Sequence, residues 1–177
     1  MYEKTLSVEN VYAGRIIDVD VLDVELENGR RAVREIVRHG VAVAVIPRLP
    51  DGRFVFVRQF RKAVERICFE LVAGNCDPGE TEEETARREL KEETGCIAGK
   101  TEFIGSLHPS VGYCTERIDV FYADVVDRGA PSFDDDERIQ TEVLSEGEMD
   151  EMIRTNQVED AKTLAGWMFF KARKAVK

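Results

Sequence analysis

The chain has 177 residues, of which 43% are hydrophobic and 34% are charged; this composition fits one folded domain with a small appendage and excludes a disordered chain. Its formal net charge of −10 argues against a nucleic-acid partner, because binding to a phosphate backbone requires an excess of Lys and Arg. An acidic protein that acts on phosphates usually needs metal ions between the two.

Export and membrane insertion are not predicted. The first ten residues, MYEKTLSVEN, lack a basic region followed by an apolar run, and no apolar stretch approaches the ~20 residues that a membrane span requires. The four cysteines, Cys68, Cys76, Cys96 and Cys114, have neither a C-x-x-C pair nor a disulfide-like spacing, and reduced thiols are typical of the cytosol. We therefore predict a cytoplasmic protein without a membrane partner.

Strands are predicted first along the chain. Residues 16–39 place apolar side chains at every second position on either side of Asn28 and Gly29, a dipeptide that adopts the positive φ angles of a tight hairpin turn. A lone hairpin is marginally stable. We therefore predict an N-terminal β subdomain, residues 1–39, that lies on its own domain or on a second subunit.

The next segments also predict strands. Residues 41–47 (VAVAVIP) form a β-branched run typical of a fully buried strand, and the turn at residues 50–52 leads into the alternating strand RFVFVRQF. Further strands are predicted at residues 67–72, 101–107 and 117–126.

Two helices are predicted at the end of the chain. Ser145 and Glu148 have capping-box spacing before the first helix, and Asp160 is placed to cap the second. The apolar stripe of the second helix is predicted to comprise Ala161, Leu164, Ala165, Met168 and Ala172. For Trp167, Phe169 and Phe170 we predict packing rather than ligand binding. Strands with a few helices indicate an α/β or α+β class, with helices packed on a sheet.

Between these regions lies an acidic segment, residues 74–95, with the sequence GNCDPGETEEETARRELKEETG. Pro and Gly before it and Gly95 after it predict a helix over residues 80–94. Ala86 and Leu90, four residues apart, point to the same side of that helix and are its best candidates for contact with the core.

The acidic residues of this helix fall into two groups. Arg88 and Glu92, four residues apart, have the spacing of a surface ion pair. Glu82, Glu89 and Glu93 instead flank the apolar stripe, and Glu89 and Glu93 are predicted to have no local cation. Neighbouring carboxylates should then raise one another's pKa, and divalent cations such as Mg²⁺ or Mn²⁺ would remove that conflict. A solvated acidic helix face remains the alternative.

The same segment resembles the Nudix box. It departs from the family pattern at Cys96, where an aliphatic residue is usual; cysteine is a small hydrophobe, so the change is mild. The resemblance implies an α/β/α sandwich around a mixed sheet, over residues 40–177, that hydrolyses a nucleoside diphosphate linked to another moiety. The matching positions are Gly74, Glu80, Arg88, Glu89, Leu90, Glu92, Glu93 and Gly95.

Roles in the site follow from this resemblance. The family's metal-binding glutamates correspond to Glu89 and Glu93, the carbonyl of Ala73 is a further ligand, and Glu92 assists catalysis. The implied cofactor is two or three Mg²⁺ ions per active site, with Mn²⁺ as the alternative. The positions that brace the loop and helix are Gly74, Glu80, Arg88 and Gly95.

Segments outside the box resemble the ADP-ribose pyrophosphatase branch of the family: REIVRHG, VRQFRKAVE, ELVAG, SVGYCTE, DDDER and DAKTL. The resemblance implies hydrolysis of ADP-ribose, or a related ADP-sugar, to AMP and a sugar phosphate. It also implies a homodimer in which the N-terminal sheet is swapped and reaches the partner's pocket.

Substrate-binding residues are carried over position by position. Arg34 and Glu35 match the pair that holds the adenine or its ribose side, and Arg61 matches an arginine at the diphosphate; for both arginines a surface ion pair is the alternative. Ser110, Gly112 and Glu116 match positions near the terminal ribose and the metals, although this chain has Ser-Val-Gly where the branch usually has Ser-Pro-Gly.

The catalytic base is predicted in the late acidic loop. Asp135 takes the usual base position, and Glu137 takes the second, metal-associated position. Because Asp is one methylene shorter than Glu, Glu137 is an alternative base. An acidic surface turn is the remaining interpretation.

Two other functions stay open at this point. One is hydrolysis of a different nucleotide, such as a GDP-hexose or an oxidised nucleotide. The other is a Nudix module that senses ADP-ribose without cleaving it. The intact carboxylates of the box argue against the sensor.

Overall fold

The computed structural model describes residues 1–132 and 138–175. The chain divides into two compact units, one formed by residues 1–41 and 108–117 and the other by residues 42–107 and 118–177. Among the described helices, none is long and apolar enough to cross a membrane.

The first unit contains a three-stranded antiparallel sheet in the order β1-β2-β3. The predicted hairpin is confirmed: β2 and β3 are joined by a turn in which Gly29 has a φ of +77° and donates its N–H to the carbonyl of Leu26. A further strand pairs with β2 on the side away from β3. The bounds are β1 Glu3–Ala13, β2 Asp18–Leu26 and β3 Arg31–Arg38.

The second unit contains a seven-stranded sheet in the order β10-β5-β4-β9-β8, with β6 paired to β5 and β7 paired to β4. Its strands are β4 Val41–Arg48, β5 Phe54–Arg61, β6 Arg66–Glu70, β7 Val72–Asn75, β8 Cys96–Leu107, β9 Arg117–Arg128 and β10 Ile139–Leu144. Its helices are α1 Glu82–Thr94, α2 Glu146–Arg154 and α3 Ala161–Lys174.

Alternation along β4 divides the hydrophobic core into two clusters. Ala44 and its alternate neighbours pack with Met149 of α2 and Trp167 of α3, whereas Val43 and Val45 pack with the buried face of α1. Because successive side chains of a strand point to opposite faces, α1 covers one face of the sheet and α2 and α3 cover the other. The predicted sandwich of helices around a mixed sheet is confirmed.

The predicted apolar stripe of α3 is correct only in part: Leu164 packs against the core, but three of its five members are exposed. The helix buries Thr163, Gly166 and Trp167, while Met168 is 61% exposed, and two alanines of the predicted stripe, at 161 and 172, are also exposed. The reason is that small and polar residues set the contact: a Cβ on Gly166 would lie 2.7 Å from the Leu71 side chain. Hydrophobicity alone does not identify such a contact face.

Aromatic packing at α3 agrees with the prediction. Trp167 is 2% exposed, and its ring lies edge-on to Phe54 at 5.1 Å. Phe170 meets the same Phe54 ring at 5.0 Å. The indole N–H of Trp167 donates to Asp150 at 2.8 Å, which satisfies its polar atom inside the core.

Candidate functional site

Helix α1 begins two residues later than predicted. Thr81 is its N-cap and forms a reciprocal capping box with Glu84, so that two backbone N–H groups of the helix start are satisfied. The predicted end is confirmed, because Gly95 adopts the left-handed conformation at φ +72° and donates its N–H to the Lys91 carbonyl at 2.8 Å. A Cβ on Gly95 would lie 2.2 Å from the carbonyl oxygen of Gly129, so only glycine fits this cap.

The buried face of α1 contains the two predicted apolar residues and a carboxylate. Ala86 and Leu90 are 1% and 0% exposed. Glu93, at the edge of the same face, is only 5% exposed, and its neighbour Thr94 donates its hydroxyl to the Leu90 carbonyl at 2.6 Å. Burial of an ionisable carboxylate is costly unless a cation or hydrogen bonds offset it, which singles out Glu93 among the acids of the helix.

Arg88 links the loop before α1 to the acids of the helix. Its Nε and Nη2 donate to Glu80 at 3.0 Å each, and its Nη1 donates to Glu89 at 2.7 Å and to Glu92 at 2.9 Å. Hydrogen bonding to Glu80 is the main cause of a raised pKa at Arg88, and Arg88 in turn lowers the pKa of Glu80. Both groups are therefore held in their charged forms.

One prediction about these acids is wrong, and one is confirmed. Glu89 does have a local cation, since Arg88 lies 2.7 Å from its Oε1. Adjacent residues of a helix point in different directions, but the long side chain of Arg88 carries its guanidinium back to the neighbouring Glu89. The expected ion pair between Arg88 and Glu92 is present at 2.9 Å.

Glu89 lies directly against the backbone of β7. A Cβ on Gly74 would come within 2.0 Å of the Glu89 carboxylate, a separation that no side chain tolerates. Glycine at this position therefore lets the carboxylate reach the chain immediately after Ala73. A carboxylate beside a backbone segment that offers carbonyl oxygens is a set of hard donors, the kind that Mg²⁺ and Mn²⁺ prefer.

Glu89 and the neighbouring backbone carbonyl could hold a divalent cation only together with further ligands. Within residues 1–132 and 138–175, no three His, Cys, Asp or Glu side chains are grouped so that they could hold a metal ion by themselves. The set proposed from the sequence contains two of these carboxylates, Glu89 and Glu93, one carbonyl and Glu137. Asp135 and Glu137 lie outside the described residues.

Arg61, at the end of β5, is held by a buried carboxylate. Its Nε and Nη2 donate to the two oxygens of Glu70 at 2.7 Å each, and Glu70 is 2% exposed. This hydrogen bonding is the largest cause of a raised pKa at Arg61, and the negative charge of Glu93 adds to it. Arg61 and Glu93 are therefore within electrostatic range of each other.

Lys162 of α3 also donates to Glu70. Sequence reasoning assigned no role to either residue, although both fall in segments, ELVAG and DAKTL, that carried the resemblance. A glutamate inside an otherwise apolar strand was the signal that could have drawn attention to Glu70.

In the first unit, Arg34 and Glu35 are neighbours on β3. Arg34 is half-buried and Glu35 is exposed. The Arg34 guanidinium donates to both oxygens of Glu3 on β1, at 3.0 and 2.6 Å, so Arg34 forms an ion pair across the sheet. This hydrogen bond is the main cause of a raised pKa at Arg34.

The segment of residues 108–117 is hydrogen-bonded to the end of β3. The Val37 N–H donates to the Tyr113 carbonyl at 2.7 Å. Glu116 lies 3.9 Å from His39. The Ser110 carbonyl accepts from Tyr113 and Cys114 within a turn, and Gly112 lies in the same turn. The structure thus joins this segment to the strand that carries Arg34 and Glu35.

With this geometry in view, comparison with known proteins identifies the family. A family model described as the NUDIX domain matches residues 38–167. The chain belongs to the Nudix family. It is a Nudix hydrolase, and Nudix hydrolases generally use divalent metal ions.

Similar proteins match over nearly the full length. An ADP-ribose pyrophosphatase of Bacillus subtilis (strain 168) is 36% identical over 176 residues, 98% of this chain and 95% of that protein. A methanol dehydrogenase activator of Bacillus methanolicus is 36% identical over 177 residues, 99% and 96% of the two chains. The crystal structure of an ADP compounds hydrolase has a TM-score of 0.88 at 25% identity, covering 97% and 94%.

Proposed function

We propose that this Nudix hydrolase cleaves the diphosphate of ADP-ribose, or of a related ADP-sugar, to give AMP and a sugar phosphate. One observation carries the proposal: Glu89 lies against the backbone at Gly74, with the buried Glu93 one helical turn further along α1. The name of the Bacillus subtilis relative, an ADP-ribose pyrophosphatase, supports the substrate class.

Glu89, Glu93 and the Ala73 carbonyl would hold the divalent cations, two or three Mg²⁺ with Mn²⁺ as the alternative. When bound, such ions shield the charge of a diphosphate and lower the pKa of an attacking water. Arg88 contributes by donating hydrogen bonds to Glu89 and Glu92, which orient both carboxylates.

The remaining residues of the site have roles in binding and proton transfer. Arg61 would hold the diphosphate, because a guanidinium offers several donors in fixed directions. Asp135 would accept the proton of the attacking water, with Glu137 as the alternative base and a further metal ligand. The residues proposed to bind the adenosine and terminal ribose parts of the substrate are Arg34, Glu35, Ser110, Gly112 and Glu116.

We also propose a homodimer formed through the N-terminal strands, with residues 1–39 as the swapped subdomain. Strand β1 is exposed along all 11 of its residues, and Val8, Val11 and Tyr12 are each more than half exposed. Exposed apolar side chains on a long strand are typical of a protein interface. Light scattering coupled to gel filtration measures the mass in solution, and a monomer would contradict this part of the proposal.

Incubation with ADP-ribose and Mg²⁺, followed by chromatographic analysis of the products, tests the activity directly. We expect AMP and ribose 5-phosphate, and no products when EDTA is present. Parallel reactions with a GDP-hexose and an oxidised nucleoside triphosphate measure preference. Saturable ADP-ribose binding without any product would instead favour the sensing module.

A further inference from the structure

We propose that Glu70 and Lys162 are positioning residues, which fix Arg61 so that its outer edge is presented to the diphosphate beside Glu93. This inference rests on the function proposed above. It assigns a role in that site to a buried carboxylate on β6 and to a lysine at the start of α3.

Glu70 lies on the same face of the sheet as α1. It pairs directly with Val57 of β5, which belongs to the core cluster that α1 covers. Its strand neighbours Phe69 and Leu71 belong to the opposite cluster, as expected for alternating side chains. The carboxylate therefore points to the side of the sheet on which Glu93 is found.

The contact between Arg61 and Glu70 leaves one edge of the guanidinium for a ligand. A guanidinium has five N–H donors in a planar fork, and Glu70 takes up the edge formed by Nε and Nη2. Among the described residues, these two are the hydrogen bonds that Arg61 makes to side chains. The edge formed by Nη1 and Nη2 keeps N–H groups that Glu70 does not bind, and bidentate pairing along such an edge is how arginine recognises phosphate.

Arg61 is much more exposed to solvent than the two residues that hold it. The Arg61 side chain is 44% exposed, whereas Glu70 is 2% exposed and the Lys162 side chain 13%. Arg61 is thus held by a carboxylate that solvent barely reaches, while the Arg61 side chain itself remains partly open to solvent. An arginine anchored in this way loses little side-chain freedom when it binds a phosphate.

The start of α3 fixes Lys162. Asp160, the N-cap residue, lies 3.1 Å from the Lys162 amine and accepts from the Thr163 N–H at 3.0 Å and from its hydroxyl at 2.6 Å. The Thr163 hydroxyl in turn accepts from the Leu71 N–H at 2.8 Å. The helix start is therefore tied to the residue that follows Glu70.

Stability alone does not account for this network. Buried ion pairs are often replaced by apolar residues of similar size without loss of stability, because the gain from pairing barely offsets the cost of removing both charges from water. The network joins Arg61, Glu70, Lys162 and Asp160 and ends in the partly exposed side chain of Arg61. Positioning of the Arg61 guanidinium for a ligand accounts for it.

A double-mutant cycle with Glu70→Gln and Arg61→Ala tests the proposal, because coupled residues do not have additive effects. Glutamine keeps the shape of Glu70 and removes its charge. We expect E70Q to lower kcat/KM for ADP-ribose by about 10-fold to 100-fold, since a shift of about 1 Å in a positioning group has effects of that size. In the R61A background, E70Q should change kcat/KM by no more than about twofold. Equal losses in both backgrounds would overturn the proposal.

Two further variants separate positioning from a general loss of folding. Glu151→Gln is the matched control, because Arg154 contacts the exposed Glu151 with the same two nitrogens, at 2.7 and 2.5 Å; it should leave kcat/KM unchanged. If E70Q does not fold, Glu70→Asp replaces it: the charge remains but the anchor is one methylene shorter. We expect E70D to lose kcat/KM in the wild-type background and not in R61A, and wild-type kinetics for a folded E70D would contradict the proposal.

A second readout does not depend on turnover. The arginine side-chain signals in ¹H–¹⁵N spectra report guanidinium order, and R61K identifies the Arg61 signal by its disappearance. We expect Mg²⁺ with inorganic pyrophosphate to shift this signal in the wild type, and E70Q to weaken the response.

If ADP-ribose is not cleaved but the Arg61 response to pyrophosphate depends on Glu70, the substrate proposal fails and the positioning proposal stands. An Arg61 signal that is indifferent to pyrophosphate, or equally responsive in E70Q, overturns the positioning proposal.

Discussion

Two arginines of this hydrolase contact glutamates, in opposite arrangements. Arg88, in the box, is 27% exposed and serves as the hub: a single guanidinium holds Glu80, Glu89 and Glu92. In the region at the end of β5, the carboxylate of Glu70 is the buried hub, and Arg61 is the more exposed group at 44%. The central group is a guanidinium in one region and a buried carboxylate in the other.

This difference indicates what each region offers to a ligand. The box presents carboxylates, which suit divalent cations. The end of β5 presents a guanidinium, which suits the phosphate oxygens. A metal–diphosphate complex needs both kinds of group, and the negative charge of Glu93 is one of the causes that raise the pKa of Arg61.

The largest expected effect is on the carboxylate side of the comparison. Glu89→Gln keeps the size of the side chain and removes the charge that would bind the cation. We expect kcat to fall by about 10²-fold to 10³-fold or more, because charge stabilisation of a phosphoryl transition state is lost. Steady-state kinetics with ADP-ribose measure the change, and kcat within about threefold of wild type would refute the assignment of Glu89.

A smaller effect is expected when Glu89 is displaced rather than changed. In Gly74→Ala, the added Cβ would lie 2.0 Å from the Glu89 carboxylate, so the carboxylate must move. We expect about 10-fold to 100-fold weaker activation by Mg²⁺, the usual result of disturbing the groups that orient metal ligands.

Gly147→Ala is the control for that substitution. A Cβ at Gly147 meets nothing within 4 Å, and in helix α2 alanine is favoured over glycine. G147A should retain wild-type Mg²⁺ dependence and melt at the same temperature or slightly higher. A Mg²⁺ titration of G74A that overlays that of G147A would contradict the proposed position of Glu89.

The hub role of Arg88 predicts a pH-dependent effect on stability. Arg88 lowers the pKa of Glu80 from its ordinary value of 4.5. A carboxylate with a lowered pKa stabilises the fold above its unfolded pKa and loses that contribution as the pH falls through its folded pKa. We therefore expect the wild type to have a higher melting temperature than Glu80→Gln at neutral pH. The difference between the two melting temperatures should shrink as the pH falls. Melting curves across the pH series test this, and a gap that does not change with pH would argue against the ion pair.

The smallest effect is expected at the far end of the second network. Lys162→Met keeps the aliphatic stem and removes one of two cations from Glu70, while the bidentate contact of Arg61 remains. We expect a smaller loss of kcat/KM than for E70Q, and no further loss when K162M is combined with E70Q. A loss for K162M larger than that for E70Q would show that Lys162 acts by another route.

The two regions also differ in how far the sequence predicts them. The helix, its Gly95 end, its buried Ala86 and Leu90 and its Arg88–Glu92 pair follow from spacing within one segment, because helical geometry is local and regular. The prediction that Glu89 has no local cation was wrong, since the long side chain of Arg88 reaches a neighbour that helical spacing alone does not indicate.

The second network could not be predicted in the same way. Arg61, Glu70 and Lys162 come from a strand end, a different strand and a helix start that are far apart in the sequence, so no periodic pattern connects them. The prediction of the contact face of α3 was wrong in part for a related reason. Gly166 is buried because it closely approaches Leu71, and Thr163 is buried because its hydroxyl accepts from the Leu71 N–H. Hydrophobicity indicates neither contact.

The central claim is that Glu89 and Glu93 hold divalent cations that bind a diphosphate. Titration of the wild type and of Glu93→Gln with Mn²⁺, followed by electron paramagnetic resonance with and without ADP-ribose, tests it most directly. We predict tight Mn²⁺ binding by the wild type that ADP-ribose strengthens, with both the binding and the AMP release lost in E93Q. Equal Mn²⁺ affinity and equal AMP release in the two proteins would contradict the account.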